Sequence, residues 1–165
     1  MRAVSGRWSR LGVLVLGLGG GSGCGSESSC GPGGGVVARV VDGDTVVLQS
    51  GERVRYLLVD TPESTGGKKD CFGAESREFN RSLVEGRVVR LTYAEACTDR
   101  YGRLLAYVSV EGREVNTVLA QEGYACVLYV APAGGSRRSE FQALESAARR
   151  ARRGMWGQCA QVACE

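Results

Sequence analysis

Two short stretches of the chain gather groups that could do chemistry together. Val40-Val41-Asp42-Gly43-Asp44-Thr45-Val46 is answered by Arg55-Tyr56-Leu57-Leu58-Val59-Asp60-Thr61-Pro62-Glu63. Between them they carry four carboxylates and one arginine at the ends of predicted strands. Carboxylates brought to one point repel, and a divalent cation is the usual reason to hold them there. A third stretch, Thr98-Asp99-Arg100-Tyr101-Gly102-Arg103, adds two more arginines. Hard oxygen ligands beside fixed positive charge suit phosphodiester cleavage, in which a metal takes one phosphoryl oxygen and arginines take the others. Taken singly, the motifs have plainer readings. Asp42-Gly43 suits a hairpin turn, Asp60-Thr61-Pro62 a strand terminator, and Arg103 a surface ion pair. An EF-hand is excluded, because the sixth loop position is Val47 where that loop needs glycine.

The elements that must position these groups follow from periodicity and turn residues. Val36 to Asp42, Val46 to Gln49 and Arg53 to Val59 are apolar and β-branched, with Asp-Gly and Ser-Gly turns between them, and predict three strands. Ser64 to Phe72 is a polar loop. A helix is predicted from Ala74 to Glu85, with Phe79 and Leu83 on one face and Gly86 as its stop. Arg87 to Tyr93 and Leu104 to Val110 read as strands, the second turned by Glu111-Gly112. A short helix from Asn116 to Glu122 follows, with Val115, Val118 and Leu119 inward and Gly123 closing it. The last helix is predicted to start at the capping-box pattern Ser139-Glu140-Phe141-Gln142 and to run to about Arg153, with Phe141, Leu144, Ala148 and Ala151 as its apolar stripe. Five strands and three helices in the order βββαββαα predict an α+β fold: a small Greek-key barrel flanked by helices.

Composition sets bounds on partners and chemistry. The chain has 165 residues, enough for one domain with its own core, and a formal charge of +3. That charge misleads. Residues 1–23 hold Arg2, Arg7 and Arg10 and no acid, so without them 18 basic residues face 18 acidic ones. Net charge therefore gives no support to a nucleic-acid partner, although six arginines cluster late in the chain, from Arg137 to Arg153. Such a cluster also suits the solvated face of a helix. The chain has no histidine, which excludes Ser-His hydrolases, His-dependent nucleases and His-ligated zinc.

The three motifs together, D-G-D-T, R-x-x-x-x-D-T-P-E and D-R-Y-G-R-x-L-A-Y, resemble the staphylococcal nuclease family in order and spacing, over roughly Val36 to Trp156. The resemblance implies an OB-type barrel, on whose face oligonucleotides commonly lie. It implies that Asp44, Asp60 and the backbone carbonyl of Thr61 ligate Ca2+, with Asp42 just behind them. It further implies that Glu63 acts on the attacking water, that Arg55 and Arg103 clamp the phosphate, and that Arg100, Tyr101 and Tyr129 bind flanking parts of the substrate. Two departures stand out: a second pocket tyrosine of the family is Ala131 here, and the loop after Glu63 carries Cys71. The implied activity is calcium-dependent hydrolysis of DNA and RNA by a monomer, leaving 3′-phosphates. The alternatives are a non-catalytic nucleic-acid-binding barrel and a structural envelope protein that calcium merely stabilises.

The first residues predict export. Three arginines precede the apolar run Leu11 to Leu18, too short to span a bilayer but suited to a signal peptide over residues 1–23. Cys24 stands where a bacterial lipoprotein would be lipidated, although Gly21 replaces the leucine of that pattern; plain secretion is the alternative. Lipidation would make the anchor the protein's contact with the cell envelope membrane. Residues 24–35 form a Gly/Ser-rich tether, 36–158 the domain and 159–165 a tail. With Cys24 set aside, six cysteines remain, which predicts three disulfides in an oxidising compartment. By analogy with the resembled fold the expected pairs are Cys71–Cys97, Cys126–Cys159 and Cys30–Cys164.

Overall fold

The computed structural model describes residues 30–67 and 69–163. The predicted signal segment, the lipidation site Cys24, Lys68 and Cys164 lie outside the described residues. Strands β1 (Gly34–Asp42), β2 (Thr45–Leu48) and β3 (Arg53–Tyr56) form an antiparallel meander, and β5 (Val88–Thr98) and β6 (Leu104–Val110) pair antiparallel on its other side. The order is β3-β2-β1-β5-β6, and a parallel pairing of β3 with β6 closes the sheet into a barrel. The fold is thus the expected α+β one, a five-stranded OB-type barrel with three main helices. Alternation along β2, β3 and β6 supplies much of the core, burying Val46 and Leu48, Val54 and Tyr56, and Ala106 and Val108. In β1 a register shift between Val37 and Arg39 lets Val37 and Val40 both be buried.

Helix α1 (Gly73–Val84) docks on β1 through Ser76, Asn80 and Val84, which are fully buried. Phe79 and Leu83, predicted to share one face, are half-buried at the margin of the buried one. Gly86, at φ 74°, ends the helix in the left-handed conformation that lacks a steric penalty only for glycine. Two-residue strand β7 (Arg113–Glu114) leads into α2 (Val115–Gln121), which buries Val115, Asn116, Leu119 and Ala120. The buried amide of Asn116 accepts from the Val108 N–H at 2.9 Å and donates to the Leu57 carbonyl at 2.9 Å, a structural role that polar patterning hid.

Three expectations need correction. The strand predicted from Arg53 to Val59 breaks at Leu57 and Leu58, the latter at φ 62°, and resumes as the two-residue β4 (Val59–Asp60). An apolar β-branched run conceals such a kink; here the freed carbonyls are taken by Arg55, Asn116 and Leu128. Helix α3 (Arg138–Arg150) does not begin at a Ser139 cap. A 3-10 turn over Gly135–Arg137 starts the coil earlier, and Ala151 lies exposed rather than in the apolar stripe. A one-turn helix α4 (Met155–Gln158) then packs Met155 against Phe72 and Cys126.

The disulfides also differ from expectation. Cys30 bonds Cys97 and Cys71 bonds Cys159, so Cys71–Cys97, Cys126–Cys159 and Cys30–Cys164 are all excluded. Cys126 is disulfide-bonded as well. The physical reason is the path of the chain ends. The segment before β1 runs beside β5 and β6, with the Tyr93 hydroxyl donating to the Pro32 carbonyl at 2.8 Å, which brings Cys30 to Cys97. The tail after α4 returns to the start of α1, next to Cys71. Among the described residues no helix is long and apolar enough to cross a membrane.

Candidate active site

The seam that closes the barrel sets the site. Val54, Arg55 and Tyr56 pair in register with Leu104, Leu105 and Ala106. Val54, Tyr56, Leu104 and Ala106 are buried inward, so Arg55 and, two positions before Leu105 along β6, Arg103 belong to the outer face of the same seam. Arg55 thus lies on the outer face although its chain neighbours Val54 and Tyr56 are buried inward. Its burial comes instead from β4 and the kinked segment folding over it.

That fold-back makes Arg55 the hub of the site. Its Nη2 lies 2.8 Å from Asp60 Oδ1 and its Nε 3.2 Å from Asp44 Oδ1, while Nη1 donates to the carbonyls of Tyr56 and Val59. The side chains of Arg55, Asp44 and Asp60 are 11%, 6% and 18% exposed, so these ion pairs are sheltered from solvent. One guanidinium pairs with two carboxylates and holds the two sides of the kink together.

Asp44 is fixed on its other side by Thr61, whose N–H and hydroxyl donate to Oδ2 at 2.9 and 3.1 Å. Gly43 permits this approach, because a Cβ there would come within 2.6 Å of the Thr61 hydroxyl oxygen. Asp42 sits behind, accepting the Asp44 N–H at 3.1 Å through Oδ1. Burial and the neighbouring Asp44 charge push its carboxyl up to about 7, with Arg55 offsetting part of the effect. Asn80 of α1 donates to the Asp42 carbonyl and accepts from Tyr56, anchoring this corner to the helix.

Glu63 is half-buried and held by its own loop. Its Oε1 accepts the N–H groups of Ser64 and Thr65 at 3.1 and 2.8 Å and the Thr65 hydroxyl at 2.5 Å, bonds in which Oε2 takes no part. Asp70 clasps the Glu63 backbone from both sides, and the start of α1 packs on its carbonyl at Gly73, where a Cβ would come within 2.6 Å.

The second arginine turn is organised by Asp99, to which the sequence reading gave no role. Asp99 Oδ1 accepts the N–H groups of Tyr101 and Arg103 at 2.9 and 3.0 Å, and Oδ2 pairs with Arg103 Nε at 2.6 Å. Its place as the first residue of a turn ending in glycine was the available signal. Burial pushes the Asp99 carboxyl up, but the hydrogen bonds and charge of Arg103 and the Tyr101 N–H outweigh it and leave it lowered. Tyr101, 66% exposed, carries the Arg100 guanidinium 4.8 Å from its ring centre and Arg103 at 5.5 Å. Tyr129 follows strand β8 (Cys126–Val127), which pairs with β4 so that Cys126 faces Asp60. Tyr124, partly buried, stacks on Phe79 at 3.9 Å.

The structure thus brings Asp42, Asp44, Arg55, Asp60 and Thr61 into one network and Arg100, Tyr101 and Arg103 into another along the same seam. Among the described residues no cluster of three or more His, Cys, Asp or Glu side chains forms a metal cage. The donor set still fits a hard divalent cation: carboxylate oxygens converge, and crowding by Asp44 helps to raise Asp42, a strain that positive charge relieves.

The fold and site together are a closed OB-type barrel with a sheltered carboxylate–arginine network on its seam. The chain belongs to the staphylococcal nuclease family: the profile described as "Staphylococcal nuclease homologue" matches residues 53–158. It is 37% identical over 131 residues to endonuclease YncB of Bacillus subtilis (strain 168), covering 75% of this chain and 62% of the relative. It is 38% identical over 125 residues to the SPbeta prophage-derived endonuclease YokF of the same strain, covering 72% and 42%. It is 36% identical over 102 residues to a thermonuclease of Staphylococcus intermedius, covering 59% and 61%. The chain spans less than two thirds of the length of each of these relatives.

Proposed function

We propose that the protein is a calcium-dependent nuclease that hydrolyses phosphodiester bonds of DNA and RNA and leaves 3′-phosphate ends. The observation that carries this reading is Arg55 bridging Asp44 and Asp60 on the outer face of the seam that also bears Arg103. Nuclease-named relatives support it. Asp44, Asp60 and the Thr61 carbonyl would hold calcium, with Asp42 behind them. Calcium, when bound, supplies positive charge for a phosphoryl oxygen and acidifies water.

The remaining work falls to side chains of the chain. Arg103, held through Nε by Asp99, turns its two Nη groups to the phosphoryl oxygens as negative charge builds in the transition state. Arg55, with four of its five N–H groups held by Asp44, Asp60 and two carbonyls, adds fixed positive charge beside them. Glu63, its Oε1 tied to the loop, uses Oε2 to orient the attacking water and take its proton. Water bonds to phosphorus, and the bond to the 5′ oxygen breaks with its electron pair passing to that oxygen, which takes a proton from solvent water. The phosphate stays on the 3′ side. Arg100, Tyr101 and Tyr129 bind flanking nucleotide parts. Purified protein should degrade end-labelled single-stranded DNA with calcium and stop with chelator, and the products should carry 3′-phosphates. Full degradation in excess chelator would overturn the metal reading, and binding without cleavage would favour a non-catalytic barrel.

We further infer export, with a lipid anchor on Cys24 and the residues before Cys30 as tether, since Cys30 is bonded to Cys97 and β1 begins at Gly34. The reading is supported by the disulfides of the domain, which persist in an oxidising compartment. Fractionation of native protein and a Cys24→Ser variant checks the anchor: the variant should be soluble and the native protein membrane-bound.

A further inference from the structure

Arg137 and Arg138 are adjacent in the chain and have opposite surroundings. Arg137 pairs with Glu114 and Glu140 at 2.8 Å each, lies 4.4 Å from the Tyr107 ring centre and serves as a clasp between α3 and β7. The hydrogen bonds that Arg137 donates to Glu140 and then to Glu114 hold its guanidinium above the ordinary value. Arg138 is exposed, makes no ion pair or side-chain hydrogen bond with any described residue, and places its guanidinium 5.0 Å from the Tyr129 ring centre.

We propose that Arg138 binds the phosphate of a nucleotide flanking the scissile bond, the nucleotide whose base packs on Tyr129. The proposal rests on the nuclease reading above and adds a substrate contact to it. A guanidinium held over a ring is attracted by its charge and spends no hydrogen bond there. Its N–H donors are left for a phosphate, which can take two of them. Arginine suits the place because it keeps its charge as substrate displaces water.

The platform is built in advance. The Tyr129 hydroxyl lies where a Cβ on Gly135 would approach within 2.9 Å, so that glycine lets the ring settle against the turn before α3. The same turn is pinned to β5 by the Gly134 N–H donating to Glu95 at 2.7 Å. On the other side, the Leu128 N–H donates to the Leu58 carbonyl at 3.2 Å, which ties the residue before Tyr129 to the kink beside Asp60. Ala131 leaves the tyrosine without the second aromatic wall. Arg138 supplies charge to the same ring, so substrate affinity here depends more on phosphate than on base.

The test is steady-state hydrolysis of a short single-stranded oligothymidylate with calcium over a range of salt concentrations. Arg138→Ala should raise KM about tenfold, the scale of one lost charge-assisted hydrogen bond, with kcat within about twofold. The slope of log KM against log salt should fall by roughly 0.7, the value for one phosphate contact on a single strand. Arg138→Lys should restore the slope while KM stays a few-fold high, because charge returns without the planar fork. Arg137→Ala should lower the thermal midpoint and leave the slope alone. A wild-type protein that cleaves the oligonucleotide beside an Arg138→Ala variant of unchanged KM and slope overturns this inference alone. A wild-type protein that neither binds nor cleaves it overturns the nuclease reading, and this inference with it.

Discussion

Arg55 and Asp60 lie five residues apart in the chain, yet Nη2 of the first is 2.8 Å from Oδ1 of the second, because the strand between them breaks at Leu57 and Leu58. The same guanidinium donates to carbonyls on both sides of that break. Shape and charge of the site therefore depend on one side chain. Arg55→Ala should reduce cleavage by about 10²–10³, the scale for losing one donor to a transition-state oxygen. It should also lower stability by about 3 kcal/mol in chelator, because two sheltered carboxylates lose their partner. Cleavage kinetics and urea unfolding check the two effects separately, and wild-type stability in the variant would remove the structural half.

Calcium should stabilise the fold apart from any effect on activity. Binding to the native state raises stability by about 2.7 kcal/mol when free ligand is a hundredfold above its dissociation constant. Thermal unfolding with calcium and with chelator should show this shift, and Asp44→Ala should abolish it. Magnesium should shift the midpoint less, since its rigid octahedral shell fits such a site poorly. An equal shift in the Asp44→Ala variant would place the ion elsewhere.

Asp99 offers a test in acid. Its folded carboxyl is lowered, so its contribution is fully present above the unfolded value of about 3.9 and is lost as pH falls through the folded one. Asp99→Asn should therefore weaken the protein at neutral pH and flatten the decline in stability below about pH 4. Urea midpoints between neutral and strongly acidic pH would show the flattening. Parallel curves for both proteins would mean that Asp99 contributes nothing through ionisation.

The Cys30–Cys97 and Cys71–Cys159 disulfides close long loops, with sequence separations of 67 and 88 residues. On the chain-entropy model each constrains the unfolded chain by about 4 kcal/mol. Replacing Cys71 and Cys159 with serine should lower stability on that scale and expose the tail to proteolysis, with kcat nearly unchanged. Peptide mapping without reductant should recover Cys30 with Cys97 and Cys71 with Cys159; recovery of Cys71 with Cys97 would contradict the structure.

What could be read in advance depended on range. Alternation along Val36 to Asp42 and Leu104 to Val110, and the glycines after α1 and α2, are local signals, and the strands and helices they predict are present. The residues Asp42, Asp44, Arg55, Asp60 and Thr61 were nameable because polar groups at strand ends stand out against valines. Arg55's bridging position was not, since it depends on a kink inside an unbroken apolar run. The disulfide pairs depend on where two chain ends travel, which no local pattern encodes. Arg137 and Arg138 read alike in sequence and differ only in what β7 and β8 bring near them.

The parallel seam has a consequence for the order in which the protein folds. Val54 and Leu104 are 50 residues apart in sequence and meet only when the barrel closes. Contacts of such separation form late, after the hairpins and α1 have already ordered. A refolding chain should then regain its helical signal before its activity, since Arg55 and Arg103 become neighbours at the closing step. Catalytic competence would be a clock for barrel closure.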